Sequence, residues 1–169
     1  MNLPNKLTIL RVLMVPFCVV FIMLGWYLPA AIVFALAALT DLLDGYIARR
    51  DNLVTNFGKF ADPVADKVLV LTVMIALLAQ GHYYWWAAVI VAARELAVDG
   101  LRLVAVEQGI VVPAGLLGKY KTNLQIFSLL SAMLFLPAWL TLALTILASA
   151  LTLISGWQYY QGTRHLLNK

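Results

Sequence analysis

Four aspartates carry the clearest chemical signal in the sequence: Asp41, Asp44, Asp62 and Asp66. The first two are three residues apart and the last two are four apart, so on helices each pair shares one face. The short 50–58 stretch makes the two helices antiparallel neighbours, and the ends that carry the acids can face each other. Four anions in a poorly hydrated place repel one another unless cations neutralise them. Ligation by oxygen alone suits hard divalent ions, Mg²⁺ first and Mn²⁺ or Ca²⁺ after it. Gly45 and Gly58 lie on the same faces and leave room for a ligand against the backbone, and Ala48 is also small. Arg49 adds a planar donor suited to a phosphate or to a neighbouring carboxylate.

The elements that hold these residues are apolar. Of 169 residues, 63% are hydrophobic and only 12% charged, with mean hydropathy +0.91. A water-soluble domain averages about 25% charged residues, so this chain cannot cover a water-facing surface. The expected fold is all-α and integral to a membrane, one domain over 1–169. Spanning helices need about 20 mostly apolar residues. Six are expected, near 5–24, 29–50, 59–79, 84–107, 121–136 and 139–161. Glycine, proline and aromatic residues mark three of the breaks, at Gly25-Trp26-Tyr27-Leu28-Pro29, Gly81 to Trp86 and Pro137-Ala138-Trp139. Lys121 and Arg164 enclose 42 residues with no acid or base, enough for two crossings and a turn at Pro137.

Charge orients the bundle. Lys6, Arg11, Arg49, Arg50, Lys59, Lys67, Arg102, Lys119, Lys121, Arg164 and Lys169 fall near one side, while the three aromatic turns carry no Asp, Glu, Lys or Arg. By the positive-inside rule both termini and the 50–58 and 108–120 loops are cytoplasmic. Arg94 is the exception, in the middle of the fourth span. The basic, apolar start resembles a signal peptide, but Arg11 interrupts its run and more spans follow, which points to a retained first helix. The lone Cys18 excludes an internal disulfide and reads as a small buried hydrophobe. The net charge of +4 suits anionic lipid headgroups and phosphorylated substrates rather than nucleic acid.

The pattern Asp-x2-Asp-Gly-x2-Ala-Arg-x8-Gly-x3-Asp-x3-Asp, complete from Asp41 to Asp66, resembles the signature of the CDP-alcohol phosphotransferases. That resemblance implies two metal ions at Asp41, Asp44, Asp62 and Asp66, with CDP-diacylglycerol as donor. It places cytidine near Gly45 and Ala48, donor contacts at Arg49 and Thr55, and the catalytic base at Asp66. It also implies a homodimer in the bacterial cytoplasmic membrane, with its active site toward the cytoplasm. The chemistry agrees: metals on the pyrophosphate neutralise charge as CMP leaves, and a carboxylate beside them takes the proton of an attacking hydroxyl. No Ser-His or Cys-His arrangement supports a covalent intermediate, and His82 falls on the opposite side.

The acceptor is read elsewhere. Arg94, Glu95, Asp99 and Arg102 lie on the inner half of the fourth span; Lys119, Lys121 and Gln125 follow at the entrance to the fifth. Arg94, Arg102, Lys119 and Lys121 form a candidate pocket for a phosphorylated acceptor. Alternatively, Arg94 pairs with a nearby acid, and Lys119 and Lys121 are ordinary cytoplasmic-side cations. Arg164 either adds a cation or snorkels to headgroups. Leu3-Pro4-Asn5-Lys6-Leu7-Thr8-x2-Arg11, Ala93-Arg94-Glu95-Leu96 and Gly118-Lys119-x-Lys121-Thr122 are similar to members of the family that use glycerol 3-phosphate and release phosphatidylglycerophosphate. In that resemblance Asn5 and Thr8 help hold the donor. Inositol phosphate, serine or phosphatidylglycerol are the competing acceptors within the family. A small ion transporter would also bury acids, but nearly every charge here lies toward one side, leaving no polar path across.

Overall fold

The computed structural model describes residues 2–50, 56–107 and 116–164; the side chains at 42, 45, 46, 48, 49, 56, 57, 59, 60, 116 and 119 are not among those described. The described residues form six α-helices and no strands: α1 (Leu3–Met23), α2 (Tyr27–Arg50), α3 (Asn56–Ala79), α4 (Trp85–Glu107), α5 (Leu116–Met133) and α6 (Ala138–Thr163). Five helices start within three residues of the expected positions. The fifth starts at Leu116 rather than 121, because its first turns carry Gly118 and two lysines: a helix can continue past the apolar stretch that marks a span.

Helix ends follow local chemistry. At the start of α1, the Asn2 side chain accepts a hydrogen bond from the Asn5 backbone N–H at 3.1 Å, and proline sits in the first turn, where its missing N–H costs nothing. Three C-termini close in the same way. Gly25 and Gly81 take the left-handed conformation (φ 76° and 74°). Trp26 N–H then reaches Phe21 O, and His82 N–H reaches Leu77 O, capping carbonyls that would otherwise be orphaned. At the third turn a non-glycine, Phe135, adopts φ 49°. Its ring meets Tyr27 and His82 edge-on, with centroids 4.9 and 5.1 Å apart.

The chain divides into two compact units, Met1–Tyr83 with Leu129–Pro137, and Tyr84–Ser128 with Ala138–Lys169. In the first, α1 packs against both α2 and α3. In the second, α4 packs against α6, and α5 joins through the Gln125–Thr152 and Ser128–Thr145 hydrogen bonds of 3.1 and 2.7 Å.

Polarity runs inside out. The buried face of α6 is Thr141, Thr145, Ala148, Ser149, Thr152, Ser155, Tyr159 and Thr163, while Leu142, Ile146, Leu147, Leu153, Ile154 and Trp157 point outward. Helix α1 buries Asn5, Thr8 and Arg11 and exposes Leu10, Leu13, Phe17 and Val20. Water as solvent would penalise that arrangement, whereas hydrocarbon favours it: lipid is as apolar as leucine, and polar side chains bond between helices. Two helices, α1 and α6, are long and apolar enough to cross a membrane, and α2 has an apolar stretch over Tyr27–Asp41. Charged residues of the candidate sites lie on α2, α3, α4 and α5 and, as Arg11, on α1. Cys18 is fully buried in α1, as expected.

Candidate active site

Helices α2 and α3 bring the aspartates to one cation, and that cation belongs to the chain. Arg11 of α1 is 0% exposed. Its Nη1 lies 2.8 Å from Asp66 Oδ1 and 3.1 Å from Asp41 Oδ1, and its Nη2 donates to Asp44 Oδ2. Nε reaches Thr40 Oγ1 at 3.4 Å. Asp62 is held by the neighbouring turn of α1, where Thr8 Oγ1 donates to Asp62 Oδ1 at 2.6 Å. Spacing explains the convergence: Thr8 and Arg11 are three apart on the buried stripe of α1, and that stripe is what α2 and α3 pack against.

Exposure within the cluster is graded. The Asp44 side chain is 2% exposed, whereas Asp41 and Asp66 are each 35% exposed. The cluster thus has a closed floor and an open side. One guanidinium cannot balance four carboxylates, and a net negative charge in a largely buried place calls for more cations. An all-carboxylate donor set fits hard divalent ions such as Mg²⁺. With the guanidinium at the centre, no three carboxylate, thiol or imidazole groups among the described residues are arranged to hold an ion directly.

Of the other expected donor contacts, Asn5 is buried on the same face of α1 as Thr8, and Gly58 is buried in α3. Thr55 lies outside the described residues, as do the side-chain surroundings of Gly45, Ala48 and Arg49.

The second unit holds the opposite arrangement: two cations on one acid. Arg94 Nη1 donates to Glu95 Oε1 at 3.2 Å, and Lys121 Nζ donates to the same oxygen. Arg94 Nη2 reaches Ser155 Oγ at 3.2 Å. All three charged side chains are mostly buried. The pairing of Arg94 with a nearby acid, one of the two sequence alternatives, is therefore present. It extends to Lys121 and leaves the trio with one net positive charge. Arg102 lies about two turns further along α4 and is half-buried; the Lys119 side chain is outside the described set. Arg94 Nε and the Tyr159 hydroxyl are buried and have no hydrogen-bond partner among the described residues.

Sequence reasoning missed the central place of Arg11, the bridging by Glu95, and Ser155. The available signal was an ionisable residue within an apolar helix, which needs a partner.

The sequence profile described as CDP-alcohol phosphatidyltransferase matches residues 1–154, spanning both units. A protein of Bacillus subtilis (strain 168) is 40% identical, covering 94% of this chain and 93% of its own length. One of Rickettsia felis is 38% identical over 96% of each chain. One of Shigella flexneri is 39% identical over 96% of this chain and 95% of its own. All three carry the name CDP-diacylglycerol–glycerol-3-phosphate 3-phosphatidyltransferase.

Proposed function

The chain belongs to the CDP-alcohol phosphatidyltransferase family, and from that premise we propose that it transfers the phosphatidyl group of CDP-diacylglycerol to glycerol 3-phosphate, releasing CMP and forming phosphatidylglycerophosphate. The observation that carries the transfer chemistry is the gathering of Asp41, Asp44 and Asp66 about Arg11, with Asp62 held by Thr8. The names of relatives aligned over nearly the whole chain support the acceptor.

Asp41, Asp44, Asp62 and Asp66 would hold Mg²⁺, two ions in this reading, with Mn²⁺ as a substitute. When bound, the metal neutralises charge on the donor's pyrophosphate. Asp66 is partly open to approaching molecules and takes the proton from the acceptor hydroxyl. The acceptor oxygen bonds to the phosphorus that bears diacylglycerol, and the bond from that phosphorus to the CMP oxygen breaks. Thr8 and Arg11 orient the carboxylates. Asn5, Gly45, Ala48, Arg49, Thr55 and Gly58 line the donor site, while Arg94, Arg102, Lys119 and Lys121 receive the acceptor's phosphate.

The same reading makes all six helices membrane spans of one domain, with both termini and the site on the cytoplasmic side of a bacterial inner membrane. The inside-out polarity of α1 and α6 supports it. A homodimer belongs to this reading through the family resemblance. The test uses purified protein in detergent with CDP-diacylglycerol, Mg²⁺ and a panel of acceptors, reading CMP release. Release with glycerol 3-phosphate and none with serine or phosphatidylglycerol is the expected result. Release with serine and none with glycerol 3-phosphate would replace the acceptor, and no release with any acceptor would overturn the function.

A further inference from the structure

We propose that Glu95 and Gly156 are positioning residues for the acceptor, aiming Lys121 and Arg94 at a phosphate monoester; the proposal rests on reading glycerol 3-phosphate as the acceptor. Lysine and arginine stems are long and flexible, and a buried anion receptor made of two such side chains works only if something holds them in one place. Glu95 does so with a single atom. Its Oε1 accepts from Arg94 Nη1 at 3.2 Å and also from Lys121 Nζ, so cations from α4 and α5 converge on one point. Ser155 takes the other arm of the Arg94 fork at 3.2 Å, which fixes the plane of the guanidinium. That leaves Nε as a buried donor without a partner among the described residues, a group that normally marks a missing ligand or water.

Gly156 contributes by what it lacks. A Cβ built there would stand 3.0 Å from Arg94 Cγ, 3.7 Å from Nε and 3.9 Å from Cδ. The stem of Arg94 therefore lies directly against the α6 backbone at this residue. The contact at Cγ is near the base of the side chain, so relief requires moving the whole guanidinium and not just its tip. Space for a methyl group exists at Gly162 of the same helix, where nothing lies within 4 Å, so the restriction is local to Arg94.

Two variants change position while keeping every charge. Glu95→Asp draws the carboxylate back by about 1.5 Å, one carbon–carbon bond, so it no longer reaches both cations. Gly156→Ala displaces Arg94. Each should raise the KM for glycerol 3-phosphate by about tenfold, the scale of one charge-assisted hydrogen bond, with the KM for CDP-diacylglycerol nearly unchanged. A role through net charge alone predicts no change in either variant. Because Gly156 acts through Arg94, Gly156→Ala should add nothing in an Arg94→Ala background.

The experiment measures both KM values, kcat and thermal unfolding for Glu95→Asp, Gly156→Ala, Arg94→Ala, Lys121→Ala and the Arg94→Ala/Gly156→Ala pair. If Arg94→Ala and Lys121→Ala raise the acceptor KM but neither charge-preserving variant does, the positioning proposal falls and the acceptor reading stands. If Arg94→Ala and Lys121→Ala leave the acceptor KM unchanged, the acceptor reading itself falls. An effect of Gly156→Ala that persists without Arg94 would also overturn the proposal.

Discussion

The two charged clusters are opposites in composition. In the first unit, one arginine on α1 meets three aspartates from α2 and α3, and a fourth, Asp62, accepts from Thr8 of the same helix. In the second, one glutamate on α4 meets an arginine and a lysine. Among the described residues the contacts are unequal in charge: one guanidinium for three aspartates, and one carboxylate for two cations. A buried cluster built for stability alone would be balanced, because uncompensated charge away from water is costly. The surplus in each case has the sign opposite to a ligand: negative where divalent metal is proposed, positive where a phosphorylated acceptor is. Arg11 and Glu95 then serve to hold in place the groups they touch.

The largest expected effect breaks the acidic cluster chemically and leaves its shape intact. Asp66→Asn cannot take a proton, so kcat should fall by about 10²–10⁴-fold, while the KM for CDP-diacylglycerol changes little. If donor affinity fell and kcat survived, Asp66 would serve as a ligand alone and not also as the base. Removing the counter-charge tests the other half of the comparison. Arg11→Met leaves carboxylates buried without their guanidinium, a loss of about 3–5 kcal/mol by analogy with broken buried pairs. Thermal unfolding in detergent should show it, and added Mg²⁺ should recover part of the loss, since a ligand bound only by the folded state stabilises it. An unchanged melting temperature would mean that Arg11 does not balance the acids.

On the basic side, Lys121→Ala should raise the acceptor KM about tenfold to a hundredfold, with donor KM nearly unchanged, because uniform binding is what is removed. The smallest effect sharpens the contrast between charged and neutral contacts. Gln125 donates to Thr152 within the same unit at 3.1 Å, with no net charge involved. Gln125→Leu should cost about 1 kcal/mol of stability and leave both KM values where they are. A raised acceptor KM would extend the receptor one turn deeper.

Much of this was legible in the sequence. Glycines at 25 and 81 end helices because left-handed caps demand them, so three breaks were readable, and the third was marked by Pro137 just after the strained Phe135. The shared faces of Asp41 with Asp44 and Asp62 with Asp66 followed from helical spacing. The identity of their partner did not. Arg11 is 30 to 55 residues away from Asp41 and Asp66 in the chain, and the meeting depends on how α1 is rotated against α2 and α3, which a one-dimensional pattern does not encode. Glu95 was visible as a buried acid, but its sharing by two cations depends on α5 lying beside α4. Gly156 was silent, since only the path of the Arg94 stem gives its missing side chain a meaning.

The central claim is that the acidic surplus exists to hold divalent metal for the transfer. CMP release from protein stripped with EDTA tests it most directly, with CDP-diacylglycerol and glycerol 3-phosphate supplied and Mg²⁺ then added back. The account predicts no release in EDTA, restoration by Mg²⁺, and no restoration in Asp41→Ala or Asp62→Ala protein that remains folded. Full activity of the wild-type protein in excess EDTA would contradict it.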